Sequence, residues 1–185
     1  PETCHKYGLY LFLDGARLGY GLAAPDNDLT LPEIAALCDV FYIGGTKVGA
    51  LFGEAVVIKN PELAQDFRYL IKQNGGMLAK GRLLGLQFDA LFTDGLYQEI
   101  SAHAIAMAEK LREAFTAKGY NYLAPNRTNQ IFVIVPDAHL AKISEQFEYS
   151  YDQRIDATHS CVRFCTGWAT KEENVDALIR CVEKL

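Results

Sequence analysis

Asp14 and Arg17 stand three residues apart, directly after the apolar run Leu9–Leu13, and Lys47 follows thirty residues beyond Arg17, among Gly44, Gly45 and Gly49. An acid at the carboxyl end of a buried strand sits where open α/β sheets hold their ligands. The same position suits the N-cap of a following helix, and an aspartate serves either purpose. Around Lys47 the backbone is pared down to glycine, so a bulky ligand can approach it closely. A lysine shielded there can lose its proton and act as a nucleophile. Taken alone, it is equally a surface lysine in a flexible turn. Gly44-Gly45-Thr46-Lys47 matches only part of a phosphate loop, because the upstream glycine of that motif is missing.

One chemistry accounts for the acid and the lysine together. Pyridoxal phosphate needs a lysine to hold it as a Schiff base and a carboxylate to keep its pyridine nitrogen protonated, so that the ring can accept electrons. Lys47 and Asp14 are the candidates. Arg17 and Arg163 could then grip a substrate carboxylate, since a guanidinium makes a bidentate fork with it. Each arginine by itself could equally be a surface or ion-pair residue. Arg163 is unusual in the middle of the apolar stretch "CVRFC", where an unpaired charge is costly.

These residues must be positioned by strands and helices. Leu9–Leu13 reads as a strand covered on both faces in a parallel sheet. Thr30-Leu31-Pro32-Glu33 is a capping box with proline in the first turn, followed by a short helix. "DVFYIG" and "GEAVVIKN" read as two further strands, after which Asn60-Pro61 caps a helix through about Lys72. Strand, helix, strand is the α/β signature. "QNGGMLAKG" (73–81) breaks the helical pattern, and Asp94-Gly95 marks a second break. Beyond it Ile100, Ala104, Met107, Leu111 and Phe115 recur at helical spacing, a core stripe. "QIFVIV" and "CVRFCTG" read as strands and "DAHLAKISEQF" as a short helix. Thr170 with Glu173 forms another capping box, opening a last helix whose inward face is Val175, Leu178, Ile179 and Val182. The fold class expected is α/β: a mostly parallel sheet with helices over residues 1–95, then a linking helix and a small α+β domain over 96–185.

The 185 residues are half apolar, with a formal net charge of −5 and scattered basic residues. Nothing tracks a phosphate backbone, so no nucleic-acid partner is expected. No apolar run approaches the roughly 18 residues of a membrane span. The five cysteines, at 4, 38, 161, 165 and 181, have no metal-ligand spacing and read as buried thiols of a reducing, cytoplasmic compartment. Cys161 and Cys165 share a strand face with Arg163 and sit too far apart to bond easily. The opening "PETCHKYG" reads as the last turn of a helix stopped by Gly8, and the chain is expected to begin within a longer protein.

"LFLDGARLGYGL", "CDVFYIGGTKVGALFGEAVVI", "GGMLAKGRLLGLQF" and "VRFCTGWATKEENVDALI" together resemble the low-specificity threonine aldolase branch of the aromatic β-eliminating lyase/threonine aldolase family. The resemblance implies the fold type I architecture of pyridoxal phosphate enzymes, with a large α/β domain and a small carboxyl-terminal one. It makes Lys47 the Schiff-base lysine, Asp14 the pyridinium partner, and Arg17 and Arg163 the substrate-carboxylate arginines, with Arg17 counted also among the cofactor-binding residues. The implied reaction is aldol cleavage of L-threonine or L-allo-threonine to glycine and acetaldehyde, in a homo-oligomer, a dimer or tetramer. β-Elimination by the same cofactor, or a catalytically silent interaction module, are the alternatives. Family members run to roughly twice this length, and their front half carries the phosphate-binding turn and the ring-stacking residue. By itself this chain is therefore expected to hold the cofactor weakly, and to self-associate or co-purify with a piece that completes its sheet. Relatives often carry an arginine where Leu78 stands, which leaves a phosphate role for Lys80 or Arg82 open. His5, His103, His139 and His159 match no family motif and read as structural or surface residues.

Overall fold

A computed structural model describes residues 1–185. By contacts the chain divides into two units, one of residues 1–22 and 27–99, the other of residues 23–26 and 100–185.

The first unit opens with α1 (Glu2–Lys6) and turns at Gly8, whose φ of +66° is the left-handed conformation that ends helices. A three-stranded sheet follows, in the order β1 (Phe12–Leu13), β2 (Val40–Gly44), β3 (Glu54–Ile58). β1 and β2 pair in parallel, as the connection between them allows: it holds α2 (Leu18–Leu22) and α3 (Leu31–Leu37). Thr30 N donates to Glu33 Oε2 at 2.7 Å, and the Thr30 hydroxyl reaches the same oxygen at 2.6 Å, so the box expected at the start of α3 forms. β2 and β3 pair antiparallel, from Val40 opposite Ile58 to Gly44 opposite Glu54. A parallel return needs a crossover of about a dozen or more residues, and the connection 45–53 is too short for one.

Two further expectations change here. β1 is only two residues long and lies at the sheet edge, with Leu9, Tyr10 and Phe12 all more than half exposed. The apolar run is therefore not covered on both faces within this chain. Asn60 does cap a helical segment, accepting from Glu62 N at 3.1 Å, but that segment is a short 3-10 turn, Pro61–Ala64. Asp66 at φ +57° then redirects the chain into α4 (Phe67–Gln73). α5 (Arg82–Phe92) ends before Asp94 and Gly95, both at positive φ, and α6 (Leu96–Ala117) begins beyond them.

The second unit is a four-stranded antiparallel sheet, in the order β4 (Asn121–Tyr122), β5 (Gln130–Pro136), β7 (His159–Cys165), β6 (Ser150–Arg154). β5 alternates, with Ile131, Val133 and Val135 fully buried. They pack with Met107, Leu111 and Phe115 of α6, with Leu140 and Ile143 of α7 (Asp137–Ile143), and with Val175, Leu178 and Val182 of α8 (Glu172–Glu183). Thr170 does not cap α8: the cap residue is Lys171, and the Thr170 hydroxyl accepts instead from Gly167 N at 2.8 Å. Of the five free cysteines only Cys38 and Cys161 are buried, and Cys165 is exposed. Ile143→Val, which removes one methylene from this core, is expected to cost about 1 kcal/mol. The check is a lower urea midpoint at an unchanged slope.

Candidate active site

Phe12 pairs with Val40 and Leu13 with Phe41, so one step further in the parallel register sets Asp14 beside Tyr42. The Tyr42 hydroxyl donates to Asp14 Oδ1, and the Ala16 amide donates to the same oxygen at 3.1 Å. Oδ2 takes neither. The Tyr42 hydrogen bond, then the Ala16 amide, hold the Asp14 carboxyl below its ordinary range, with the charges of Lys47 and Arg17 adding to the effect. In return, the bond to Asp14 pushes the Tyr42 phenol up to about 12.

Lys47 rides on the connection between β2 and β3. Gly44 N donates to Gly15 O at 2.9 Å, an approach so close that a Cβ on Gly44 would stand 2.6 Å from the Ala16 carbonyl carbon. Val48 N and Ala50 N both donate to Gly45 O, at 2.9 and 3.0 Å, closing the turn, and Gly49 takes φ +99°. Three side chains pin this turn from outside it. Glu54 Oε2 accepts from Gly45 N at 3.0 Å, and the Tyr20 hydroxyl donates to the Lys47 carbonyl at 2.5 Å. The buried Tyr97 hydroxyl accepts from Gly19 N at 3.1 Å and donates to Gly44 O at 3.0 Å. Burial is the main cause that pushes the Tyr97 phenol up to about 12. Val48 is fully buried while the Lys47 side chain is exposed. The lysine is thus presented from a fixed backbone and is not shielded within this chain, contrary to the sequence expectation.

Asp14, Arg17 and Lys47 accordingly fall in one unit, and Arg17 is half-buried. Tyr42, Tyr97, Tyr20 and Glu54 escaped the sequence reading. Each acts on a backbone or carboxylate distant in sequence, and only strand register could have flagged Tyr42. Leu78, Lys80 and Arg82 are all exposed.

Arg163 belongs to the second unit, on β7 opposite Phe132 of β5. Strand alternation explains a charge in this apolar stretch: Val162 and Phe164 face the helical core, and Arg163 faces the other way. Its Nη1 donates to Gln130 Oε1 at 3.4 Å, and the guanidinium lies 5.9 Å from the Phe132 ring centroid. Nε is buried with no acceptor, an orphan of the kind native proteins rarely leave. Arg163 lines a cleft of about 350 Å³ with Ser150, Cys165, Thr170 and Asn174.

All four histidines already have local partners. His5 meets Asp39 at 3.2 Å, His103 the Thr170 carbonyl at 2.7 Å, His139 the Tyr120 hydroxyl at 2.7 Å and His159 the Asp156 carboxylate at 3.0 Å.

Residues 1–138 match the beta-eliminating lyase family. The chain belongs to that family. Members of the beta-eliminating lyase and threonine aldolase group are pyridoxal phosphate enzymes. Over 180 residues the chain is 31% identical to a low specificity L-threonine aldolase of Pseudomonas sp. (strain NCIMB 10558), which takes in 95% of this chain and 50% of the relative. It is also similar to the solved threonine aldolase of Leishmania major, at 42% identity and a TM-score of 0.96, over 99% of this chain and 54% of that one. A putative L-allo-threonine aldolase of Listeria monocytogenes has the same fold at 24% identity, with a TM-score of 0.73 over 99% of this chain and 54% of its own. The chain spans about half the length of the curated relatives it matches. No helix in it is long and apolar enough to cross a membrane.

Proposed function

We propose that this chain is part of a pyridoxal-phosphate-dependent threonine aldolase that cleaves L-threonine or L-allo-threonine to glycine and acetaldehyde. The reading is carried by the placement of Asp14 and Lys47 just beyond the carboxyl ends of two adjacent parallel strands, β1 and β2. The residues fit the cofactor. Asp14 leaves one carboxylate oxygen without a donor while its other oxygen is held. Lys47 offers an exposed amine on a turn stripped to glycine. When bound, pyridoxal phosphate supplies a ring that accepts the electron pair of the broken bond. Lys47 would hold it covalently through its amine, and Asp14, kept anionic by Tyr42 and Ala16, would keep its ring nitrogen protonated. Arg17 and Arg163 would each hold substrate carboxylate, and the cleft that Arg163 lines supports that role for it.

The family description favours a second reading, β-elimination from an amino acid with a leaving group on Cβ. Assay of the complete protein on L-threonine and L-allo-threonine separates the two. Acetaldehyde with glycine supports the aldolase reading; 2-oxobutyrate with ammonia would replace it. Arg163→Leu is expected to raise the Michaelis constant for the amino acid by about tenfold or more, because a charge-assisted contact is lost. Cofactor affinity should stay put. A fall in cofactor affinity at constant Michaelis constant would remove Arg163 from substrate binding.

A homo-oligomer in a reducing, cytoplasmic compartment belongs to the same proposal. It is supported by exposed Tyr69, Leu70, Leu83 and Leu86 on α4 and α5 and by five unpaired cysteines.

A further inference from the structure

We propose that Tyr42 is a positioning residue for Asp14: its hydroxyl holds Oδ1 and so turns Oδ2 out toward the ring nitrogen. The inference rests on the reading of Asp14 given above and adds a residue to it.

Three observations carry it. The first is register. β1 and β2 run parallel with Leu13 opposite Phe41, so Asp14 and Tyr42 occupy neighbouring places at the end of the pair. Their contact is a consequence of strand pairing and does not depend on a mobile loop. The second is the distribution of donors. A carboxylate has two oxygens and about four acceptor positions, yet both donors, the Tyr42 hydroxyl and the Ala16 amide, go to Oδ1. Two donors from different directions on one oxygen fix the plane of the carboxylate and leave the other oxygen open. The Ala16 amide alone, two residues along the chain, would leave the group free to rotate about its own turn.

The third is the stiffness of the donor. Tyr42 pairs with Val56 of β3 and follows Phe41, the last residue paired with β1, and its ring packs against Phe12 at 5.9 Å between centroids. A tyrosine has only two side-chain torsions, so a ring packed this way carries its hydroxyl as a rigid arm. The chemistry of the donor also suits the task. Of the charged groups that act on the pair, Lys47 and Arg17 stabilise the Asp14 carboxylate, and Glu54 joins Asp14 in keeping the Tyr42 phenol protonated. Tyr42 therefore donates throughout the neutral range without adding a charge that would compete with the cofactor. Its proton is committed to Asp14, which removes Tyr42 from consideration as a catalytic base.

The test uses the complete protein with Tyr42→Phe, which keeps the ring and deletes the donor, and the reciprocal Asp14→Asn. In the cofactor-free protein, carbon-13 NMR of labelled aspartate should show the Asp14 carboxyl titrating at higher pH in Tyr42→Phe than in wild type. In Asp14→Asn the Tyr42 phenol, followed by labelled tyrosine, should titrate closer to its ordinary value of about 10. With cofactor, Tyr42→Phe should lower kcat about tenfold and leave the Michaelis constant for the amino acid within about twofold. A tyrosine that only braces the strand end would move the melting temperature and leave kcat unchanged. Unmoved titrations in both variants overturn the proposal. Coupled titrations in a protein whose wild type binds no pyridoxal phosphate would uphold the pairing of Tyr42 with Asp14 and overturn the cofactor reading on which its purpose rests.

Discussion

Lys47→Ala in the complete protein is expected to lower threonine cleavage by at least about 10³-fold, the scale on which removal of a covalent catalytic group acts. The turn that carries the lysine is held from three directions by Glu54, Tyr20 and Tyr97, and its next residue, Val48, is fully buried. The substitution removes only an exposed side chain from that mount, so the fold should survive and the loss should be chemical. Borohydride reduction of the wild-type protein with pyridoxal phosphate, followed by peptide mapping, should place the label on Lys47. A label on Lys59 or Lys80 would transfer the role elsewhere. An alanine variant that still takes the label would do the same.

Asp14→Asn should cost about 10²-fold in turnover, the size of effect seen when one preorganised electrostatic group is removed from a site. The amide has the shape of the carboxylate and can still accept from the Ala16 amide and the Tyr42 hydroxyl, so the geometry of the turn is retained. What disappears is the negative charge, and with it the ability to hold a proton on the ring nitrogen. The covalent label on Lys47 should therefore persist while catalysis falls. Activity near that of wild type would mean that Asp14 only closes the turn onto Ala16.

Much of this architecture is legible in neighbouring residues. The Thr30–Glu33 box forms as expected, and the stripe from Ala104 to Phe115 is buried along one face of α6. Asp94 and Gly95 take the positive φ that breaks the helix, and β5 alternates inward and outward. Each of these rests on contacts within a few positions, where spacing and turn chemistry alone decide the outcome. The local rule misleads at Thr170, which has the capping pattern but spends its hydroxyl on Gly167 N. It misleads again at Asn60, whose cap opens a 3-10 turn that Asp66 ends.

Asp14, Arg17, Lys47 and Arg163 were visible as residue types because few chemistries ask for an acid at a strand end and a lysine among glycines. Their surroundings were not. Tyr42 reaches Asp14 across 28 positions, and Tyr97 reaches Gly19 across 78. Residues so far apart meet only once strands have chosen partners and register, and a side-chain period of two carries no information about which strand lies alongside. The antiparallel return of β3, the exposure of β1 and of Lys47, and the unsatisfied Nε of Arg163 were likewise decided by tertiary structure. Burial and hydrogen-bond satisfaction depend on what packs against a group from elsewhere in the chain. The sequence alone determined which side chains could do the chemistry and on which elements they ride. Strand pairing in three dimensions brought the Tyr42 hydroxyl to the oxygen of Asp14 that the neighbouring Ala16 amide also holds, and left the other open.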